Sequence, residues 1–302
     1  MDRLTSMSVF VTVVDQGNFS AAADHLQLSR ATTSKHIAAL ENCLGGRLLN
    51  RTTRRISLTE AGRAYYEHCK QILDDVVEAE CVVTGFSSEP RGLLRINAPM
   101  SFGTKQFADI VTTFCQAYPA IDVELSLNDR FVDVVEEGYD LVIRISQLKE
   151  SSLIARKLAP CRVVLCASPD YLKTHGRPVS PDDLKRHTCL QYAYVEDGKN
   201  WVLNGPDGEH RIRIHSQLTV NNGEVLCAAA RQGLGIASLP TFIVGDAIRS
   251  GDLDIILPDY QPPEINIYAV YASRKHLSAK VRAFIDYAVV QIGEQPVWDL
   301  GL

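Results

Sequence analysis

Over residues 59–86 the chain places Tyr65, Cys69, Ile72, Val76, Ala79, Val83 and Phe86 at intervals of 4, 3, 4, 3, 4 and 3. A 3.5-residue apolar repeat held for about three heptads predicts one long helix with a narrow coiled-coil seam. Thr59 is its expected N-cap, and at 1.5 Å per residue the helix is about 42 Å long. A rod of that length divides the chain into a segment before it and a segment after it. Asp74, Asp75, Glu78 and Glu80 occupy the opposite face. Packing on its own domain would explain an amphipathic helix, but the narrow seam favours self-pairing through Tyr65, Cys69, Ile72, Val76, Ala79 and Val83. Ser87-Ser88-Glu89-Pro90-Arg91-Gly92 ends the helix in a short hinge.

The segment before the rod reads as three short helices and a hairpin. Leu4, Met7, Val11 and Val14 recur at helical spacing, with Phe10 and Val13 widening the stripe. Gly17 stops that helix, and Asn18 can cap a second with Phe19, Ala22, Ala23 and Leu26 inside. Ser29 can cap a third, ended by Gly45-Gly46. At 100° per residue, Thr33, Ile37, Leu40 and Leu44 face inward, while Ala31, Thr32, Lys35, Ala39 and Asn42 face out. That outer face carries small side chains, hydroxyls and one cation, with no carboxylate. Such a face fits the major groove of DNA, and a short helix, a tight connection and a second helix match a helix-turn-helix. An ordinary three-helix bundle is the competing account.

The next stretch weighs against that bundle. Residues 48–58 form a strand–turn–strand pattern with Arg51, Thr52, Thr53, Arg54 and Arg55 at its tip. Guanidiniums and hydroxyls beside a reading helix suit phosphate or minor-groove contact, so the hairpin is expected to be a wing. The net charge of −5 conceals a split that agrees. Residues 1–70 hold nine Lys/Arg and six Asp/Glu, net +3, whereas residues 71–302 hold 22 and 30, net −8. Such asymmetry points weakly to nucleic acid.

Beyond the hinge the pattern alternates. Strands are expected at 93–98, 121–127, 141–145, 153–158 and 163–167, and helices at 103–118, 131–137 and 170–175. A strand-rich stretch follows, then a helix at 223–231, a strand at 236–239, a helix at 241–249, a strand at 265–272 and a helix at 279–292. This is an α/β region with mainly parallel pairing expected, long enough for two lobes joined by crossing strands.

Residues 1–62 resemble the winged helix-turn-helix of LysR-type transcriptional regulators. The resemblance rests on Phe10, Phe19-Ser20-Ala21-Ala22-Ala23, Leu28-Ser29, Ser34, Ile37, Leu40-Glu41, Leu44-Gly45, Leu48-Leu49, Arg51 and Leu58-Thr59-Glu60-Ala61-Gly62. Phe131-Val132-Asp133, residues 138–144 and Gly233-Leu234-Gly235-Ile236-Ala237 extend it over essentially the full chain. The resemblance implies a DNA-binding regulator, homodimeric or tetrameric, with no catalytic role and no cofactor. It implies a winged module (1–58), a linker and dimerisation helix (59–88) and an effector domain (89–302). That domain is expected to be similar to type-2 periplasmic binding proteins, with lobe 1 at 93–165 and 266–302 and lobe 2 at 166–265. The DNA-contacting set is then Ser29, Arg30, Ala31, Thr32, Ser34, Lys35, Arg51, Thr53, Arg54 and Arg55. Two departures stand out. Arg30-Ala31 lacks a proline common there, and Lys35 replaces a common arginine, so it can donate to guanine without a bidentate fork.

Within the effector domain, Pro99, Ser101 and Phe102 join a strand end to a helix start, where open α/β sheets take ligands and backbone N–H groups favour anions. Asn221 and Asn222 precede a second helix start, and Arg130 and Arg144 can supply a cation. Together they suggest a small organic anion, although Ser101 and Asn222 can equally serve as caps, and the arginines can pair with Asp129 or Asp140.

Other chemistries find little footing. Cys161 and Cys166 stand five apart in an extended stretch, roughly 16 Å between Cα atoms, against the 7 Å or so that a disulfide tolerates. Eight dispersed cysteines suit reduced thiols in the cytoplasm. Zinc spacing, a nucleophile elbow and phosphate-binding glycine loops are absent from the sequence. No apolar run approaches the roughly 20 residues that span a bilayer, and no secretory leader is evident. An enzyme or carrier using the two lobes on a small acid remains the alternative, disfavoured by the acid-free helix face and the arginine-rich hairpin.

Overall fold

The computed structural model describes residues 2–51, 56–84, 89–147, 153–194, 200–272 and 277–302, with backbone alone at Arg51 and over most of 71–84. The chain forms two compact units, Met1–Ser88 and Glu89–Leu302.

In the first unit, local capping decides where each helix begins. Asp2 accepts from the Thr5 amide at 2.9 Å to start α1 (Arg3–Gln16), which stops at Gly17 with φ +67°. Asn18 accepts from Ala21 N at 2.7 Å to start α2 (Phe19–His25). Ser29 accepts from Thr32 N at 3.0 Å to start α3 (Arg30–Leu44), closed by Gly45 in the left-handed region. The wing pairs β1 (Leu49–Arg51) antiparallel with β2 (Ile56–Leu58), and α4 (Glu60–Thr84) follows. Met7, Phe10, Val13, Ala22, Ile37, Leu40, Leu48, Leu49 and Cys69 share one core. Leu4 and Leu44, expected on inner stripes, are 40% and 36% exposed because each lies at a helix end that no neighbour covers. His36 is buried instead.

The second unit contains β3 (Gly92–Ala98), α5 (Met100–Phe102), a π-helical turn Gly103–Phe107, α6 (Ala108–Ala117), β4 (Ile121–Leu127) and β5 (Leu141–Ser146). Next come β6 (Ile154–Cys161), β7 (Val163–Ala167), α7 (Pro169–His175), β8 (Thr188–Tyr192), the hairpin β9 (Asn200–Gly205) and β10 (Gly208–Arg213), and β11 (His215–Val220). The chain ends with α8 (Gly223–Arg231), β12 (Ile236–Pro240), α9 (Thr241–Arg249), β13 (Asp254–Ile256), β14 (Ile265–Tyr271) and α10 (Ala279–Ile292).

Two five-stranded sheets result, ordered β4-β3-β5-β14-β6 and β11-β8-β12-β7-β13. Pairing is mixed rather than mainly parallel. In the first sheet β3 runs parallel to β4 and β5, while β14 is antiparallel to β5 and β6. In the second, β8 is parallel to β11 and β12, while β7 is antiparallel to β12 and β13. The crossover from one sheet to the other falls at Arg162, between β6 and β7, three residues earlier than expected. A 3₁₀ turn, Val297–Asp299, packs on α9 rather than remaining with the first lobe. Thr241 Oγ1 donates to the Asp299 carboxylate there, and Arg249 donates to the Trp298 carbonyl.

No helix forms over 131–137. The Asp133 carboxylate accepts from Val135 N and Glu136 N, each at 2.9 Å, and holds a turn in place of a helix. Val132 and Val134 are buried there against Val142, Tyr268 and Val270. One large core joins the two lobes through Phe102, Phe107, Phe242 and Trp298.

Candidate nucleic-acid interface and effector cleft

On α3, Ala31 and Lys35 are exposed and Thr32 and Ser34 half-buried, as the helical phase requires. Ser29 Oγ lies 2.8 Å from Thr32 Oγ1, so the two hydroxyls at the helix start are held as a pair. Arg30 is also exposed. Among the described residues neither Arg30 nor Lys35 forms an ion pair, so both charges remain available to a polyanion. The sole carboxylate of α3, Glu41, turns away from this face. Its Oε1 accepts from Leu48 N at 2.9 Å and from Leu49 N at 3.2 Å, tying the root of the wing to the helix. Sequence reasoning assigned Glu41 no task, although a single acid on an otherwise acid-free helix was a signal. Thr59 Oγ1 donates to the Arg47 carbonyl at 2.7 Å and accepts from Gly62 N at 2.9 Å, which fixes the other end of the wing to α4. Arg51 pairs through its backbone with Ile56. Thr53, Arg54 and Arg55 lie outside the described residues.

The expected seam on α4 is divided. Tyr65 packs its ring 5.9 Å from Phe10, and Cys69 is fully buried in the same core. Both belong to the interior of their own winged unit, because α1 packs against the first three turns of α4. Tyr66 extends this contact and donates to Asp15 on α1. Beyond this core Ile72 is 38% exposed and Val76 half-buried. The side chains of Ala79 and Val83 lie outside the described residues.

In the second unit, β3 delivers Pro99 and Ser101 to the start of a helix facing the other lobe. Ser101 is 5% exposed, and its Oγ has no hydrogen-bond partner among the described residues. Gly223, the first residue of α8, lies opposite it. A Cβ on Gly223 would stand 3.6 Å from Ser101 Oγ. The structure therefore brings Ser101 to a helix N-terminus of the second lobe, where first-turn amides lack intrahelical partners. Asn222 caps that helix through Val225 N at 3.1 Å, and Asn221 Nδ2 reaches Tyr194 Oη at 3.4 Å. Lys105, one turn beyond Ser101, stands 3.7 Å from Glu224 across the lobes. Lys105 escaped notice in the sequence, where only its position one turn after Ser101 hinted at a shared face.

Three expected contacts are placed otherwise. Phe102 is completely buried, with its ring 5.4 Å from Phe242 and 5.9 Å from Trp298, so it is core rather than cleft lining. Arg130 binds the Glu137 carboxylate, with Nη1 at 2.8 Å. Arg144 Nη2 donates to the Val132 carbonyl at 2.6 Å, and its guanidinium lies 5.4 Å from the Phe131 ring centroid. Neither arginine is a free cation, and neither pairs with Asp129 or Asp140. Asp129 accepts from Met100 N at 2.9 Å, and burial holds its carboxyl above the usual range. Asp140 accepts from Arg95 N and pairs with Lys280. Burial, followed by the Asp129 and Tyr194 charges, pushes the Tyr192 phenol up.

Burial also pushes the Cys161, Cys166 and Cys189 thiols up to about 12, where thiolate is scarce near neutral pH. Among the described residues no cluster of His, Cys, Asp or Glu is arranged to hold a metal, and no helix is long and apolar enough to cross a membrane.

Comparison with known proteins meets both units. Residues 4–63 match the family model described as bacterial regulatory helix-turn-helix protein, lysR family, and residues 87–291 match the LysR substrate binding domain. An uncharacterized HTH-type transcriptional regulator of Haemophilus influenzae is 41% identical over 281 residues, 93% of this chain and 98% of its own length. The regulator DmlR of Escherichia coli is 38% identical over 94% of this chain and 92% of its own. Among solved structures, CrgA, a LysR-type regulator from Neisseria meningitidis, is similar with a TM-score of 0.61 and 32% identity, covering 96% of this chain and 99% of that one. The full-length Vibrio cholerae virulence activator AphB is similar at a TM-score of 0.60 with 29% identity, over 96% and 99% of the two chains.

Proposed function

This chain belongs to the LysR family of DNA-binding transcriptional regulators, and from that premise we propose that a small organic anion, bound between the lobes of its effector domain, modulates its hold on an operator. The observation that carries the effector reading is the Ser101 hydroxyl, buried, unpartnered and facing the first turn of α8. An anionic oxygen placed there would accept from Ser101 Oγ and gain from the positive helix end, in competition with Glu224, which pairs with Lys105. Arg130 and Arg144 hold the neighbouring turn and are not ligands in this reading, and Asn221 and Asn222 shape the opposite wall. Occupancy would favour one spacing of the lobes, which is how a ligand with different affinity for two arrangements shifts their balance. Two copies would pair along α4 from Ile72 onward, through Val76, Ala79 and Val83, as a dimer or a tetramer. Each pair would present two α3 helices to paired half-sites on double-stranded DNA.

A thermal-shift screen of small carboxylates against the full chain tests the effector reading. A carboxylate at a hundred times its Kd should stabilise the second unit by about 2.7 kcal/mol. Ser101→Ala should weaken the same carboxylate about tenfold, the loss of one charge-assisted hydrogen bond. A screen with no stabiliser, or a variant that binds as the parent does, removes the proposed site.

For the DNA face, affinity for a duplex selected in vitro should fall steeply with rising salt as phosphate contacts release counterions. Lys35→Ala should cost about 1–3 kcal/mol on that duplex and relax preference at one base pair. Equal loss on every sequence would make Lys35 a phosphate contact, and a flat salt response would remove the interface altogether.

A further inference from the structure

The inner face of α3 is apolar at Ile37 and Leu40, and Thr33 spends its hydroxyl on the Ser29 carbonyl of its own helix. His36 is the exception. Its Nδ1 lies 3.0 Å from Ser6 Oγ on α1, and both residues are buried, at 9% and 3% exposure. Ser6 Oγ also lies 2.9 Å from the Asp2 carbonyl, an oxygen that can only accept. With the single hydroxyl proton donated to the Asp2 carbonyl, Ser6 Oγ is left to accept from the Nδ1–H tautomer of His36. Asp2 is itself locked as the α1 cap through Thr5 N. A directional chain runs from α3 through Ser6 to the fixed start of α1.

Apolar contacts set how deeply α3 sits without a preferred direction, and the Glu41 bonds to Leu48 and Leu49 act near its C-terminal end. A hydrogen bond has a preferred direction. His36 follows Lys35 directly and lies one turn after Thr32, so the roll that seats His36 also aims those two side chains. In a helix 10–12 Å across, a roll of roughly 20° carries an outer side-chain tip about 2 Å, enough to break contact with a base edge.

We propose that the buried Ser6–His36 hydrogen bond is a positioning contact for base recognition, setting the roll of α3 and hence where Thr32 and Lys35 meet the major groove. The proposal rests on the reading of α3 as the base-reading helix, and the test separates the two. Duplexes are selected in vitro with the wild-type chain, and affinities are compared with single-base-pair variants of them. The double variant Ser6→Ala/His36→Phe removes both partners and so leaves no orphaned donor. It should melt within about 4 °C of the wild type and keep the same salt slope, yet lose about tenfold in discrimination. Ser6→Thr, which keeps the hydroxyl, should discriminate as the wild type does. If the double variant does not fold, Ser6→Ala alone must show the same fall in discrimination. Discrimination unchanged in the hydroxyl-less variants, or lost equally in Ser6→Thr, overturns the positioning role. A wild-type chain that discriminates between no sequences overturns the base-reading role of α3 as well.

Discussion

Truncation of Phe102 to alanine will lower the stability of the unit Glu89–Leu302 by about 3–5 kcal/mol, the range for removing a fully buried aromatic side chain. The ring has no exposed surface and meets Phe107, Phe242 and Trp298 at centroid distances of 5.7, 5.4 and 5.9 Å. Phe107 belongs to the first lobe, whereas Phe242 and Trp298 pack with the second, so the cavity would open at the joint between them. For a unit of this size the loss corresponds to a fall in melting temperature of roughly 6–20 °C. Phe102→Leu, which refills most of the volume, should lose much less. The measurement is thermal unfolding of the full chain, following the transition of the second unit. A change below about 2 °C, combined with weakened ligand binding, would return Phe102 to the cleft wall and overturn its place in the core.

Phe102 also marks the limit of what the sequence disclosed. Its place after Ser101, at the end of a strand, suits a cleft wall and a core equally, and only the arrival of Phe242 and Trp298 from distant parts of the chain decides between them. The helix boundaries were legible because their causes are local. Asn18 and Ser29 each cap an amide three residues on, and Gly17 and Gly45 adopt the left-handed conformation that ends a helix. The seam on α4 was legible as a period but not as a partner. A 3.5-residue repeat records which side is apolar, and it is α1 that covers Tyr65 and Cys69. At 131–137 the helical pattern of valines lost to one side chain, because Asp133 satisfied two amides in a turn. The lobe crossover was misplaced because β6 and β7 are separated by Arg162 alone, with apolar residues on both sides. Lys105 and Glu224 are far apart in sequence, and their approach across the lobes has no local signature.

Gly62→Ala will disable the winged unit more severely than Lys35→Ala. A Cβ at Gly62 would lie 1.9 Å from the Leu48 carbonyl oxygen and 2.8 Å from its carbon, and both atoms are backbone. Leu48 cannot withdraw. Its amide is held by Glu41, and its carbonyl accepts from Thr59 N at 3.0 Å. Relief must come from moving the wing off α3 or from unwinding the first turn of α4, and either breaks the Thr59 cap. Overpacking typically costs 1–3 kcal/mol where side chains can shift, so about 3 kcal/mol or more is expected against rigid backbone. That is a large share of the stability of a small module. Because relief displaces the wing from α3, restoring the binding geometry would cost DNA affinity up to the same ~3 kcal/mol, about a hundredfold. The transition of the unit Glu89–Leu302 should stay in place. Ala64→Ser, at an exposed position two residues on, controls for helix propensity and should change stability by no more than about 0.5 kcal/mol. Wild-type DNA binding in Gly62→Ala would show that the wing root and α4 can part without consequence. The close approach at Leu48 would then not be what holds the wing beside α3.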